Sequence, residues 1–186
     1  NEPHFVSCSQ ESYVHKFEMV GGIRKGGIFL LSTTRTPEEL EDFLPNNVKR
    51  ELAEKGAHMF ILDAYKLAKE IGNVKMISTI MQSAFFKLNE QIMPYETAQN
   101  AMKAFAKKTF GKKGDAIVQM NYEAVDKGAT LITEVPVKPE WKNLKDDRAV
   151  DTKRPDFVRN IADVVNRIQG YDLPTSAFEG IEDGRI

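Results

Sequence analysis

These 186 residues offer little for the commonest residue-borne chemistries. There is a single cysteine, Cys8, which excludes an internal disulfide framework. It also excludes an iron–sulfur cluster held by this chain alone, since such a cluster takes about four thiolates. The three histidines, His4, His15 and His58, share no metal-ligand spacing and stand beside no second thiol, so structural or surface roles fall to them. The net charge of -1 supplies no general basic field, and no nucleic-acid partner is expected. No apolar run approaches the roughly 18 residues of a spanning helix, and no signal peptide is present, so no membrane partner is expected either. No serine stands in a nucleophile-elbow context, which sets hydrolysis aside. The chain begins at Asn1 without methionine, almost directly in a strand, and reads as a piece of something longer.

What is present is the signature of an α/β domain. Phe5-Val6-Ser7-Cys8 reads as a first strand, with Gln10 to Val20 as the helix after it. Gly21-Gly22-Ile23-Arg24-Lys25-Gly26-Gly27 then runs into a second strand over Ile28 to Ser32, which ends in small hydroxyl residues. Met59-Phe60-Ile61-Leu62 is the third. Each strand is short and apolar and is followed by helical periodicity, which predicts a parallel sheet. Thr36-Pro37-Glu38-Glu39 is a helix start, with Thr36 as cap, Pro37 at the first helical position and two acids at the positive end of the dipole. Pro45 to Lys55 is a further short helix, and Asp63 caps the one that runs to Ile71.

After Gly72 the pattern turns all-helical. Ile77, Ile80, Met81, Ala84, Phe85, Leu88 and Ile92 share one broad face, predicting a deeply buried helix. Pro94 starts the next helix, which ends near Gly111 as its C-cap, and a third runs from about Asp115 to about Glu134. The Met and Phe stripe on these helices is core. Residues 136 to 156 lose periodicity and carry mixed charge and prolines (Pro136, Pro139, Pro155), which reads as a linker or an arm over a partner surface. A last amphipathic helix, about 155 to 169, carries Phe157, Val158, Ile161, Val164, Val165 and Ile168 on one face, and an extended tail comes after it. The division is thus 1–135 for the α/β domain and 136–186 for an arm with one docking helix.

In open parallel sheets, ligands bind beyond the carboxyl ends of the strands. Ser9 and Gln10 follow the first strand, and Thr33, Thr34 and Arg35 follow the second, with Arg35 able to reach a phosphate or carboxylate. These five are the candidate ligand-binding residues; no catalytic or metal-ligating residue is assigned. Cys8 reads as a small buried residue. Lys107-Lys108-Thr109-Phe110-Gly111-Lys112-Lys113-Gly114 is the densest basic cluster, and lysines at a helix C-terminus account for it. The Gly26-Gly27 turn lacks dinucleotide-binding spacing.

The segments from Tyr13 through Gly21-Gly22-Ile23-Arg24-Lys25-Gly26-Gly27 to Leu31, Met81-Gln82-Ser83-Ala84-Phe85-Phe86-Lys87-Leu88, and Phe110-Gly111-Lys112-Lys113-Gly114-Asp115 resemble the gamma-type, Rossmann-like domain of pyruvate:ferredoxin (flavodoxin) oxidoreductase. Leu173-Pro174-Thr175-Ser176-Ala177-Phe178 and Asp183-Gly184-Arg185 resemble the link toward the ferredoxin-like part of the same enzyme. The likeness covers nearly the whole chain in the right order. It implies a parent that oxidises pyruvate with coenzyme A to acetyl-CoA and carbon dioxide. Thiamine diphosphate, Mg and [4Fe–4S] clusters would lie on other domains, and electrons would pass to ferredoxin or flavodoxin. It further implies a glycine-rich strand–loop–helix ahead of Asn1, a homodimeric parent, and a cytoplasmic location, or an organellar one in some anaerobic eukaryotes. This piece would supply the coenzyme A side and domain packing, bind no cofactor alone and be inactive by itself. Two alternatives stand beside this: a non-catalytic Rossmann-like interaction module docking through 136–186, and a stand-alone coenzyme A or nucleotide binder.

Overall fold

The computed structural model describes residues 2–147 and 153–181. Three parallel strands, β1 (Phe5–Cys8), β2 (Ile28–Ser32) and β3 (His58–Leu62), lie side by side in chain order. The register pairs Phe5 with Ile28 and Ile28 with His58. Strand side chains alternate between two faces, and both faces here are covered. On one, Cys8, Phe29, Leu31, Met59 and Ile61 meet apolar residues of α1 (Tyr13–Lys16), α2 (Glu39–Phe43) and α3 (Asn46–Lys55) and of the loops between them. On the other, Leu30 and Leu62 meet α4 (Ala64–Glu70), α5 (Ile77–Leu88) and α7 (Asp115–Thr130). The α/β expectation is met, as a three-layer arrangement. α6 (Tyr95–Phe110) packs on α5 and α7.

The expected helix starts are seen. The Thr36 hydroxyl accepts from Glu39 N at 3.3 Å while Thr36 N donates to the Glu39 carboxylate at 2.9 Å, a reciprocal capping box. Asp63 accepts from Lys66 N at 2.8 Å. Two glycines are fixed by space. A Cβ on Gly27 would stand 2.7 Å from Ile23 Cγ1 and 2.9 Å from the Arg24 carbonyl oxygen, so the chain could not fold tightly enough to enter β2. A Cβ on Gly128 would stand 2.5 Å from the Ile80 carbonyl oxygen, and its absence lets α7 press against α5. Ser83 on α5 donates across that contact to the Val125 carbonyl at 2.5 Å.

Several expectations are corrected. The helix over Gln10 to Val20 is a single turn, because Phe17 turns extended (φ -125°, ψ 153°) and lets Val20 and Ile23 reach the core. The buried helix ends at Leu88, where the Asn89 side chain donates to the Phe85 carbonyl at 2.8 Å; Ile92 lies beyond it, 62% exposed. α6 does end at Phe110 with Gly111 as its C-cap, in right-handed geometry, and Gly114 (φ +107°) makes the turn before α7. The helix expected to reach Glu134 stops at Thr130, and Thr133–Val135 forms β4, antiparallel to β3. That strand covers the β3 edge and makes the sheet mixed.

Residues 137–147 are a strap held on α2 and α3. Trp141 is 3% exposed and its indole N–H donates to Glu41 at 3.1 Å. Lys138 pairs with the same carboxylate at 2.9 Å. Arg50 donates to the Leu144 carbonyl at 3.2 Å, and the Asp147 carboxylate accepts from Asn46 N, at the start of α3, at 3.1 Å. Of the linker residues, 148–152 lie outside the described residues, as does Asp183-Gly184-Arg185.

The last helix is helical from 156 to 166, with a π-type stretch over Val158–Ala162 and then α8 (Asp163–Asn166). Its single face is uneven: Ile161 is buried, while Val165 and Ile168 are exposed. Glu18 N donates to the Arg167 carbonyl at 2.9 Å, tying this segment to the loop after α1. The tail expected to be extended from Leu173 to Ile186 is not extended throughout its described part, and residues 182–186 lie outside the described residues. A 3-10 turn at Thr175–Phe178, starting behind Pro174, interrupts it, and another at Gly170–Asp172 comes just before it.

Candidate functional site

The three parallel strands deliver their carboxyl ends to one edge of the sheet, at Cys8, Ser32 and Leu62. Cys8 is buried, its thiol donating to the Gln10 carbonyl at 3.1 Å, and burial pushes its pKa up. It is a packing residue whose thiolate is disfavoured. Ser32 is also structural, since its hydroxyl accepts from Ala64 N at 3.3 Å at the start of α4.

Thr33 and Arg35 meet at the strand-end edge, and the residue that joins them is Glu11. The Thr33 hydroxyl donates to Glu11 Oε2 at 2.5 Å and accepts from Arg35 N at 3.1 Å. The same Glu11 oxygen stands 3.5 Å from Arg35 Nε. On its flat side the guanidinium lies 4.0 Å from the centroid of Phe43, on α2, and His15 meets Phe43 edge-on at 4.7 Å. Arg35 Nε is fully buried and has no hydrogen bond beyond this ion pair. The two terminal guanidinium nitrogens have no protein partner among the described residues, and the side chain is 36% exposed. A guanidinium held by its inner edge and one face presents its outer fork, the edge that takes phosphate or carboxylate bidentately.

Ser9, Gln10 and Thr34 are exposed beside this cluster and are not bonded into it. Gln10 reaches Ser12 Oγ at 3.5 Å. Thr33 and Arg35 are therefore brought together, and the other three stand outside the cluster on the rim. Sequence reading missed Glu11 and Phe43. The parallel pairing sets the ends of β1 and β2 side by side, with Cys8 opposite Leu31, and the loops that leave them bring Glu11 to Thr33 and Arg35.

Among the described residues no group of three or more His, Cys, Asp or Glu could hold a metal ion, and no helix is long and apolar enough to cross a membrane. One buried thiol cannot ligate an iron–sulfur cluster, and among the described residues no acid cluster fits a metal–diphosphate head.

A family model for pyruvate ferredoxin/flavodoxin oxidoreductase matches residues 1–131, and a model for a domain of unknown function matches residues 144–186. The pyruvate-flavodoxin oxidoreductase of Klebsiella pneumoniae is 39% identical over 181 residues, covering 97% of this chain and 15% of that protein. The pyruvate:ferredoxin oxidoreductase of Moorella thermoacetica is 36% identical over 179 residues, with 96% and 15% covered. The chain therefore spans about 15% of the length of these relatives. Among solved structures, the pyruvate oxidoreductase subunit PORC of Thermotoga maritima superposes with a TM-score of 0.56 at 19% identity, over 73% of this chain and 66% of that one, a likeness of fold.

Proposed function

The chain belongs to the pyruvate ferredoxin/flavodoxin oxidoreductase family, and we propose that it is the coenzyme A-side unit of an enzyme that oxidises pyruvate and coenzyme A to acetyl-CoA and carbon dioxide. The electrons would go to ferredoxin or flavodoxin, in a homodimeric parent with a cytoplasmic location. Thiamine diphosphate with Mg and the [4Fe–4S] clusters would lie on other domains of that parent. When bound there they supply the carbanion and electron-transfer chemistry. Residues 1–135 act as the gamma-type body and 136–186 as an arm strapped to it at Trp141.

What supports this reading most is the clamped guanidinium of Arg35. Glu11 takes its inner edge and Phe43 one face, so little rotamer entropy remains to be lost when an anion arrives. A phosphate group of coenzyme A suits the outer fork, and Ser9, Gln10 and Thr34 can donate to the same ligand from the rim. The role is binding and orientation; no bond to carbon is made by these residues. Calorimetric titration tests it: the chain binds coenzyme A, and Arg35→Ala weakens that binding roughly tenfold or more. With pyruvate, coenzyme A, thiamine diphosphate and an artificial electron acceptor, the chain alone gives no turnover. Coenzyme A binding unaffected by Arg35→Ala, or turnover by this chain, refutes the proposal.

A further inference from the structure

A polar cavity of about 500 Å³ lies between the body and the last helix. The ends of α1 and α2 and the start of α3 line one side, and residues 154 to 167 line the other. It shares Phe43 with the strand-end cluster, but Arg35 is not part of its lining.

Some of its charge is already matched. Arg154 donates to both oxygens of Asp163, at 2.9 and 2.8 Å. The Asp147 carboxylate is taken by Asn46 N at 3.1 Å. What is left over is a specific set of groups. Asn47 is only 3% exposed, and its side-chain NH2 donates to both oxygens of Glu18, at 3.3 and 3.2 Å. Its Oδ1 is thereby fixed as an acceptor, and that atom is buried with no hydrogen-bond partner. Buried polar atoms are nearly always paired, so an orphan lining a cavity points to a missing donor. Among the described residues Lys16 has no acidic partner and Asp42 no basic one. Arg167 gives its Nε to Gln169 at 3.1 Å and keeps its two terminal nitrogens unpaired. The exposed ring of His15 stands edge-on to Phe43 at 4.7 Å.

An occupant must bring an N–H donor for Asn47, negative charge for Lys16 and Arg167, and hydroxyl donors for Asp42. A lone phosphate supplies only the charge, and the cavity has the size of a site for a larger organic ligand. We propose that it binds a phosphorylated adenosine. The exocyclic amino group of the base donates to Asn47 Oδ1, the base stacks on His15, the ribose hydroxyls face Asp42, and phosphate meets Lys16 and Arg167. Because Glu18 holds the Asn47 NH2, the amide cannot turn over without breaking both bonds. A base with a carbonyl at that position would set oxygen against oxygen. Both a free adenine nucleotide and the nucleotide end of coenzyme A carry this chemistry. The second source rests on the coenzyme A reading above; the first does not.

Calorimetric titration of the full 186-residue chain with ADP and with inosine diphosphate tests the site without altering the protein. ADP binds, and inosine diphosphate, with a carbonyl in place of the amino group, binds at least about tenfold more weakly. Lys16→Ala combined with Arg167→Ala lowers ADP affinity at least about tenfold, with circular dichroism to show that the fold is kept. Arg35→Ala leaves ADP affinity within about twofold. Saturating coenzyme A abolishes ADP binding if its nucleotide end is the occupant and leaves it unchanged if a free nucleotide is; either result keeps the site and names the source. No ADP binding, equal affinity for the two diphosphates, or indifference to the double substitution overturns the proposal. Coenzyme A binding that still depends on Arg35 would survive that failure, so the two readings fail separately.

Discussion

Glu11 and Arg35, which lie beyond different strands, share an ion pair at 3.5 Å, and the Glu11 oxygen involved is also the acceptor of the Thr33 hydroxyl. A half-exposed pair of this kind contributes at most about 1 kcal/mol to stability. Its consequence is positional: it fixes which edge of the guanidinium faces out.

Replacing Glu11 therefore changes binding more than folding. Glu11→Ala frees the Arg35 side chain and weakens coenzyme A affinity about three- to tenfold, which is roughly 0.7–1.4 kcal/mol. Glu11→Gln retains an oxygen acceptor for Thr33 and keeps most of the affinity. The double variant with Arg35→Ala binds no worse than Arg35→Ala alone, since Glu11 acts through Arg35. Additive losses in the titration contradict the positioning role.

Gly128→Ala destabilises the domain. The new methyl would stand 2.5 Å from the Ile80 carbonyl oxygen, a backbone atom that cannot rotate away, so α5 and α7 must separate. Overpacking of this sort costs about 1–3 kcal/mol, or roughly a 2–12 °C drop in Tm at this size. An unchanged melting curve refutes the close approach of the two helices. Gly56→Ala serves as a control of a different kind, since no atom lies within 4 Å of its Cβ and only the left-handed φ of +57° opposes the change.

The strap over α2 and α3 should respond to acid. The Glu41 carboxyl lies below its usual range of 4.5, chiefly because Lys138 hydrogen-bonds it, with Trp141 adding a second donor. A carboxylate lowered by folding stabilises above its unfolded pKa, and that contribution is lost as pH falls through the folded one. Lys138 is raised by the same pair, so its share holds below about 10.5 and is lost above the folded value. Trypsin cuts first at Lys145 or Lys153, while Lys142 resists; the bonds after Lys138 and Arg154 precede proline and are not trypsin sites. Below pH 4.5, with an acid-active protease, cleavage extends into residues 138–144. Trp141→Ala, which removes a side chain only 3% exposed, costs about 3 kcal/mol and opens the same stretch at neutral pH. Early cleavage at Lys142 in the unaltered chain contradicts the strap.

Strands and caps were legible because short-range chemistry decides them. Thr36 with Glu39, Asp63 with Lys66, and the apolar runs of β2 and β3 need only near neighbours. β4 was not legible: of Thr133, Glu134 and Val135 only Val135 is buried, and pairing with the β3 edge makes it a strand. The Gln10 to Val20 helix failed for the converse reason, since the core demands of Val20 and Ile23 break it at Phe17. At the site, Arg35 was visible from its place after a strand. Glu11 was not, because its segment reads as helix, and only the folded loops after β1 and β2 bring it to Arg35. Trp141 lay in a stretch without periodicity, where one buried anchor leaves no pattern.

The most direct measurement is steady-state kinetics of a full-length oxidoreductase of this family carrying this chain with Arg35→Ala. If the clamped guanidinium binds coenzyme A, KM for coenzyme A rises roughly ten- to hundredfold, the loss of one charged hydrogen-bonding group, while KM for pyruvate stays within about twofold. Equal rises for both substrates, or none for coenzyme A, would contradict that role.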